Sequence, residues 1–300
     1  MDEMTLLREF RDSAPAAAPA HVRPRALGTP GRRTRPLRYV AVGLAAAAVL
    51  AVGFVVAPSS TGPSAAAVLD RAALALADVP APPAPTSDQW VYERALFRDP
   101  YTGQAGTHPG ESWSRFDGEQ VADRRPDGTV HPQGVEYSPL GTPQQWYDVL
   151  VALPEQPDDV LAYLRQDPLY TSDGATQADR DFDEVAHALT ADTFVPPADR
   201  ARLYLALATI PGVGVGEDPP ADLVGRPVLS ITFTGDTSLG RTGDRWELLL
   251  DPTTYDVLGL RGTAGSDIDL GNGTIVTAGH VWYEMAILDR RMVDHAGDID

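Results

Sequence analysis

Hydrophobic positions change rhythm along this chain, and each change marks an element. One stretch has no rhythm at all. Residues Tyr39 to Ala57 (YVAVGLAAAAVLAVGFVVA) are apolar on every face and end at Pro58. A run of this length matches the hydrocarbon core of a bilayer as a single helix, whereas a core helix keeps a polar edge. Ahead of it, Leu6, Leu7 and Phe10 share one face of a short amphipathic helix in MDEMTLLREFR, with Asp2 and Glu3 in its first turn. Behind it lies the linker PSSTGPS. Ser64 then caps a helix through Val79 that carries Val68, Leu69, Ala72 and Leu76 on one side. Pro80, Pro82, Pro83 and Pro85 force an extended segment after that helix.

From Trp90 the pattern turns to strands. Trp90–Phe97 and Trp113–Phe116 are two, and Asp117-Gly118 and Asp127-Gly128 are tight-turn signals. A helical period follows. Thr142-Pro143 opens a helix through Trp146, Val149 and Leu150, and Pro157-Asp158-Asp159 opens one with Val160, Leu161 and Leu164. Ala178–Leu189 turns Phe182, Val185 and Leu189 inward. A fourth helix from Pro197 does the same with Leu203, Leu207 and Ile210 and stops at Pro211-Gly212.

The period then returns to strands. Val228–Phe233 and Trp246–Leu250 form a pair, and Asp251–Thr254 turns into Val257–Leu260. Asn272-Gly273 is a hairpin turn leading into one long strand, Ile275–Leu288. Strands, then helices, then strands, without regular βαβ alternation, predict an α+β domain. Its sheet is curved and mostly antiparallel, with helices packed on one face. The organisation expected is a tail at 1–38, an apolar span at 39–57, a linker at 58–88 with a helix at about 64–79, and the α+β domain at 89–300.

Charge gives the apolar run a direction. Residues 1–38 hold eight arginines against Asp2, Glu3, Glu9 and Asp12, and Arg32, Arg33, Arg35 and Arg38 abut the run. Arginines on that flank place the N-terminus in the cytoplasm and the large domain outside. The alternative is an export signal cut near Ala65-Ala66-Ala67, with Arg32-Arg33 as a twin-arginine hint, but a 38-residue leader is long for one. The chain carries a net charge of -18, so with +4 in the tail the remainder stands at -22. That excess disfavours nucleic acid and anionic lipid surfaces as partners of the outer domain. There is no cysteine, which excludes a disulfide framework, thiolate catalysis and Cys-ligated zinc. Gly43, Ala47 and Ala51 fall on one face of the apolar helix. They are the candidate contact for a homodimer, although an alanine-rich helix produces such spacing by chance.

Local chemistry is sparse. Gly212, Gly214 and Gly216 follow a helix instead of a strand, so they are a helix cap and loop and not a dinucleotide loop. Asp267, Asp269 and Asn272 lack the glycine register and closing glutamate of a calcium loop. Asp179, Asp181, Asp183 and Glu184 are expected on a solvated helix face near its N-terminus. His187 and His280 are expected as structural or surface residues, and the six histidines form no pair at ligand spacing. Trp90, Trp113, Trp246 and Trp282 in strands either line an apolar pocket or make the core. No nucleophile elbow, Ser-x-x-Lys or His-Glu-x-x-His motif is present. No catalytic, cofactor-binding or metal-ligating residue is assigned, and no cofactor is expected.

The stretches MDEMTLLREFR, Trp113–Gly118 (WSRFDG), Ala201–Gly212 (ARLYLALATIPG), Asp222–Pro227 (DLVGRP) and Leu248–Gly259 (LLLDPTTYDVLG) carry a resemblance. With the single apolar span, they make the chain similar to a family of actinobacterial single-pass membrane proteins of uncharacterised function. Genes of that family often lie beside those for extracytoplasmic-function sigma factors. The resemblance implies a non-enzymatic accessory or sensor protein of the cell membrane, with the tail patch Leu6, Leu7 and Phe10 contacting a cytoplasmic sigma factor or other regulator. The tail is shorter than typical anti-sigma domains, which wrap their sigma factor, so a docking helix is the most it supplies. In element order the outer domain also resembles the LolA/RseB-like fold, which implies the alternative of a lipid or lipoprotein carrier using an apolar concavity.

Overall fold

A computed structural model describes residues 64–299, apart from 99–103, 107, 136–140, 167–173, 192–193, 217–220, 237–242 and 270–273. The expected span Tyr39–Ala57, the tail patch Leu6, Leu7 and Phe10, the Gly43, Ala47 and Ala51 stripe, and the Asn272-Gly273 turn lie outside the described residues. Among the described residues, no helix is long and apolar enough to cross a membrane.

Proline and hydroxyl caps start the helices where the sequence predicts. Ser64 accepts from the Ala67 amide and opens α1, Ala65–Ala77, whose buried stripe is Val68, Leu69, Ala72, Ala73 and Leu76. Thr142 and Gln145 form a reciprocal capping box at α2, Pro143–Val151. Pro157 occupies the first turn of α3, Pro157–Leu164. Thr176 and Asp179 box the start of α4, Gln177–Thr190. Pro197 opens α5, Pro197–Thr209, against which α1 packs.

Strands precede and follow these helices. β1 (Trp90–Arg98), β2 (Gly110–Arg115), β3 (Gln120–Arg124) and β4 (Val130–Gly134) form a meander. After α5 come β5 (Gly214–Val215), β6 (Leu229–Gly235), β7 (Asp244–Leu250), β8 (Val257–Thr263), β9 (Ile268–Asp269), β10 (Ile275–Val276) and β11 (Val281–Val293). Nine of them make one sheet in the order β4-β3-β2-β1-β11-β8-β7-β6-β5, and β9 pairs with β10 separately. Every adjacent pair is antiparallel. The fold is therefore α+β, with a large curved antiparallel sheet and five helices among the described residues.

The centre of the sheet joins its first strand to its last. Trp90 pairs with Val293 and Arg98 with Glu284, with a register shift at Arg94/Ala95. A second shift separates Leu249 from Leu250 along β7 and β8. Such bulges bend strands and increase twist, which suits a curved sheet. Next to the end of the β8–β11 ladder, the guanidinium of Arg226 donates to the carbonyls of Ile287 (2.9 Å) and Leu258 (3.4 Å) while Asp222 holds its Nε at 2.6 Å. Gly259 permits the neighbouring approach of β8 to β11, because a Cβ there would lie 1.8 Å from the Met285 carbonyl oxygen.

The two faces of the sheet bury different chemistry. On the helix face, Ile231, Phe233, Trp246, Leu248, Leu250 and Leu260 join the inner sides of all five helices in the main core. Phe182 of α4 stacks on Phe233 with ring centroids 4.6 Å apart. On the far face, Trp90, Tyr92, Trp113, Ala122 and Val293 form a smaller core. Further along that face runs a ladder of directly opposed charges: Arg98 on β1, Glu284 on β11, Arg261 on β8 and Glu247 on β7. Arg261 donates to Glu284 at 2.6 Å and to the Ala221 carbonyl at 2.7 Å, and it stands 4.0 Å from Glu247. Glu247 also accepts from Ser230 (2.8 Å) and Arg245 (2.6 Å).

Three expectations need correction. Asp179, Asp181, Asp183 and Glu184 do not form a solvated face, since all four are buried. Local and distant donors make this tolerable for two of them: Arg165 grips Asp181 through two nitrogens and Gln177 adds a third bond, while Asp179 accepts from the Thr176 and Asp236 amides. The long strand Ile275–Leu288 is two strands, β10 and β11, broken at a turn where Gly279 takes a φ of 83°. The glycine loop after α5 includes a short edge strand, β5, paired with β6.

Candidate functional site

The capped start of α2 and the end of α4 stand over the sheet and leave a cleft of about 390 Å³ between them. Its floor is Ser114 of β2, Val121 of β3, Leu260 of β8, and Tyr283 and Met285 of β11. Its walls are Thr142, Pro143 and Trp146 from α2, and His187, Thr190 and Ala191 from α4. The volume lies within the range of small-ligand sites.

Local rules place each wall. The Gln144 amide donates to the Phe116 carbonyl, which ties α2 to the turn between β2 and β3. Gly118 in that turn has a φ of 78°, and a Cβ on it would meet the Thr142 methyl at 2.2 Å, so only glycine lets the turn touch the cap. At the other wall, Arg290 donates to the carbonyl of Thr190 at 2.8 Å and pairs with Glu93, clamping the last turn of α4 to the sheet. A cation at a helix C-terminus also suits the helix dipole. The imidazole of His187 stacks on the Trp146 indole, with centroids 5.1 Å apart and planes 23° apart.

Among the described residues, no Asp, Glu or Arg lines the cleft. The two titratable groups that do are both held neutral at pH 7. Burial holds His187 below its ordinary imidazole range. Burial, with Glu93 adding to it, pushes the Tyr283 phenol up. Thr142 and Thr190 hydroxyls are engaged within their own helices, one as a cap and the other on the Ala186 carbonyl. The arrangement suits an apolar body with a small uncharged polar end. Among the described residues, no three His, Asp or Glu side chains stand together where they could hold a metal ion.

A second cleft of about 420 Å³ opens beside the bulges and is lined by Arg200, Arg226 and Arg290. Each is already neutralised, by Asp256, Asp222 and Glu93 respectively.

The aromatics singled out from sequence lie elsewhere. Trp90 and Trp113 fill the far-face core, while Trp246 and Trp282 meet edge to face above the β9–β10 hairpin. The tryptophan in the cleft is Trp146, which sequence reading treats only as a helix residue. His187 and Met285 are missed in the same way. The Thr142-Pro143 cap is the local signal that fixes Trp146, whereas nothing near His187 or Met285 in sequence announces their meeting. Of the stretches behind the family resemblance, the four that fall among the described residues have structural duties: a hairpin turn, the α5 helix and its glycine stop, the Asp222–Arg226 turn, and the β7–β8 connection. No protein-family model, curated protein or solved structure matches the chain.

Proposed function

We propose that the chain is a non-enzymatic membrane-anchored sensor. Its α+β domain takes a small apolar ligand in the cleft between α2, α4 and the sheet. The span Tyr39–Ala57 carries the state of that domain to a cytoplasmic regulator docked on Leu6, Leu7 and Phe10, with a sigma factor the first candidate. The observation that supports this reading is the cleft: largely apolar, with no Asp, Glu or Arg among its described lining, and walled by the Trp146–His187 stack. Its walls are fixed by a capping box and an arginine clamp, as a preformed binding site requires.

Residues 58–300 form a compact unit that holds the core clusters found among the described residues, so they can be studied as a fragment. The uncharged fluorophore N-phenyl-1-naphthylamine should bind this fragment one to one and quench tryptophan emission. Val121→Trp, which fills the floor, should abolish that binding without unfolding the fragment. Equal binding by the filled variant removes the cleft from the proposal. For the tail, Leu6→Asp with Phe10→Asp in the full chain should change the set of cytoplasmic proteins captured, and an unchanged set refutes the docking role.

The same cleft favours a second reading, a carrier of lipid or lipoprotein acyl groups. Its volume limits the cargo to one short chain at a time. A carrier should deliver a bound fluorescent acyl chain to vesicles faster than the chain leaves the fragment unaided.

A further inference from the structure

We infer that the ligand of the cleft is an uncharged amphiphile whose polar end meets the imidazole of His187 and whose body lies over Val121, Leu260 and Met285, and that protonation of His187 drives it out. This rests on the reading of the cleft as a ligand site. Three observations carry it. Among the described residues, the lining offers no carboxylate to pair with a cationic ligand and no arginine to pair with an anionic one. The surplus of negative charge in residues 39–300 repels anions at long range. Beside the apolar floor and the Trp146 wall, the imidazole is the basic group among the described lining residues.

The pH dependence follows from the surroundings of His187. It stacks on the Trp146 indole of α2, and Tyr283 of β11 and Ser114 of β2 line the same cleft. Arg290 and Glu93 lie behind the end of α4, where they neutralise one another across Thr190. One turn back on α4, Asp183 and Glu184 are buried and engaged with other groups. Burial alone accounts for the lowered imidazole pKa, with no charge offsetting it. An uncharged ligand that fills the cleft strips the remaining water from the ring and makes its protonation harder still. By linkage, protonation must then weaken binding to the same degree, up to about tenfold per pH unit for one proton.

The experiment displaces N-phenyl-1-naphthylamine from residues 58–300 with decanol, decanoate and decylammonium at pH 8, then repeats the decanol titration down to pH 5.5. Decanol should displace the probe at the lowest concentration, and its affinity should fall as the pH falls. His187→Gln should lose the pH dependence of decanol binding, whatever affinity it retains at pH 8. In the wild-type fragment, the His187 ring resonances should titrate at lower pH with decanol bound, a readout that needs no variant. Tighter binding of decanoate or decylammonium overturns the uncharged-head assignment. A pH-independent decanol affinity, or a dependence that survives in His187→Gln, overturns the proton link. If the probe itself fails to bind, the cleft reading fails, an outcome distinct from the other two.

Discussion

Replacing Arg261 with methionine tests whether the charge ladder on the far face acts as a unit. The side chain is 7% exposed and sits between Glu284 and Glu247, each 3% exposed. Removing a buried partner typically costs about 3–5 kcal/mol, because the remaining charge is left in a poor solvent. Here each carboxylate keeps a second arginine, Arg98 at 3.9 Å from Glu284 and Arg245 at 2.6 Å from Glu247. The lost bond to the Ala221 carbonyl adds to the damage. The expected loss is thus at the lower end, about 3 kcal/mol. For a domain of this size that lowers Tm by roughly 6–12 °C. Urea unfolding of the 58–300 fragment, followed by far-UV circular dichroism, measures it. The sharper test adds Glu284→Leu. Once the unpaired carboxylate is also gone, the double variant should be more stable than Arg261→Met alone, with a coupling of at least about 1 kcal/mol. A loss below about 1 kcal/mol for the single variant, or strict additivity in the double, would refute the reasoning.

Other outcomes follow from the cleft and its supports. Folded His187 has a lowered pKa, so the unfolded state binds the proton more readily. Stability should be full above the ordinary imidazole value of 6.5 and fall as the pH drops through the folded value, and His187→Gln should flatten that slope in melts between pH 8 and pH 5. Gly118→Ala puts a Cβ into the Thr142 methyl at positive φ and should cost about 1–3 kcal/mol while speeding probe dissociation from the cleft, as stopped-flow fluorescence can show. Thr142→Ala removes the capping box of α2 and should cost about 1 kcal/mol, with a weaker probe affinity measured alongside it.

What could be read from sequence was local. Ser64, Thr142 and Pro157 mark helix starts because a cap and the residues it serves lie within four positions. Asp117-Gly118 and Asp127-Gly128 mark turns for the same reason. Pairings between distant segments were not legible: nothing near Trp90 specifies Val293 as its partner. The acidic face of α4 shows the same limit. A row of carboxylates reads as solvated until Arg165 and the Asp236 amide arrive from other elements. The break between β10 and β11 had a signal, Gly279, outweighed by the apolar run around it. The cleft gathers residues from β2, β3, β8, β11, α2 and α4, so no window of sequence contains it.

The pairing of β1 with β11 sets a timetable. The four-stranded meander and the β8–β5 half of the sheet meet only through these two strands, so the sheet stays in halves until β11 has left the ribosome. From Trp90 to Val293 that is about 200 residues of synthesis, on the order of 10 to 40 s at typical elongation rates. For that interval β1 has a raw edge on the side where β11 will dock, and such an edge invites pairing with other chains. Emergence of the last strand ends that exposure, and at the same moment supplies Tyr283 and Met285 to the floor of the cleft. The cleft is therefore incomplete until the final strand is made, and a product cut short before β11 lacks both the seam and that floor.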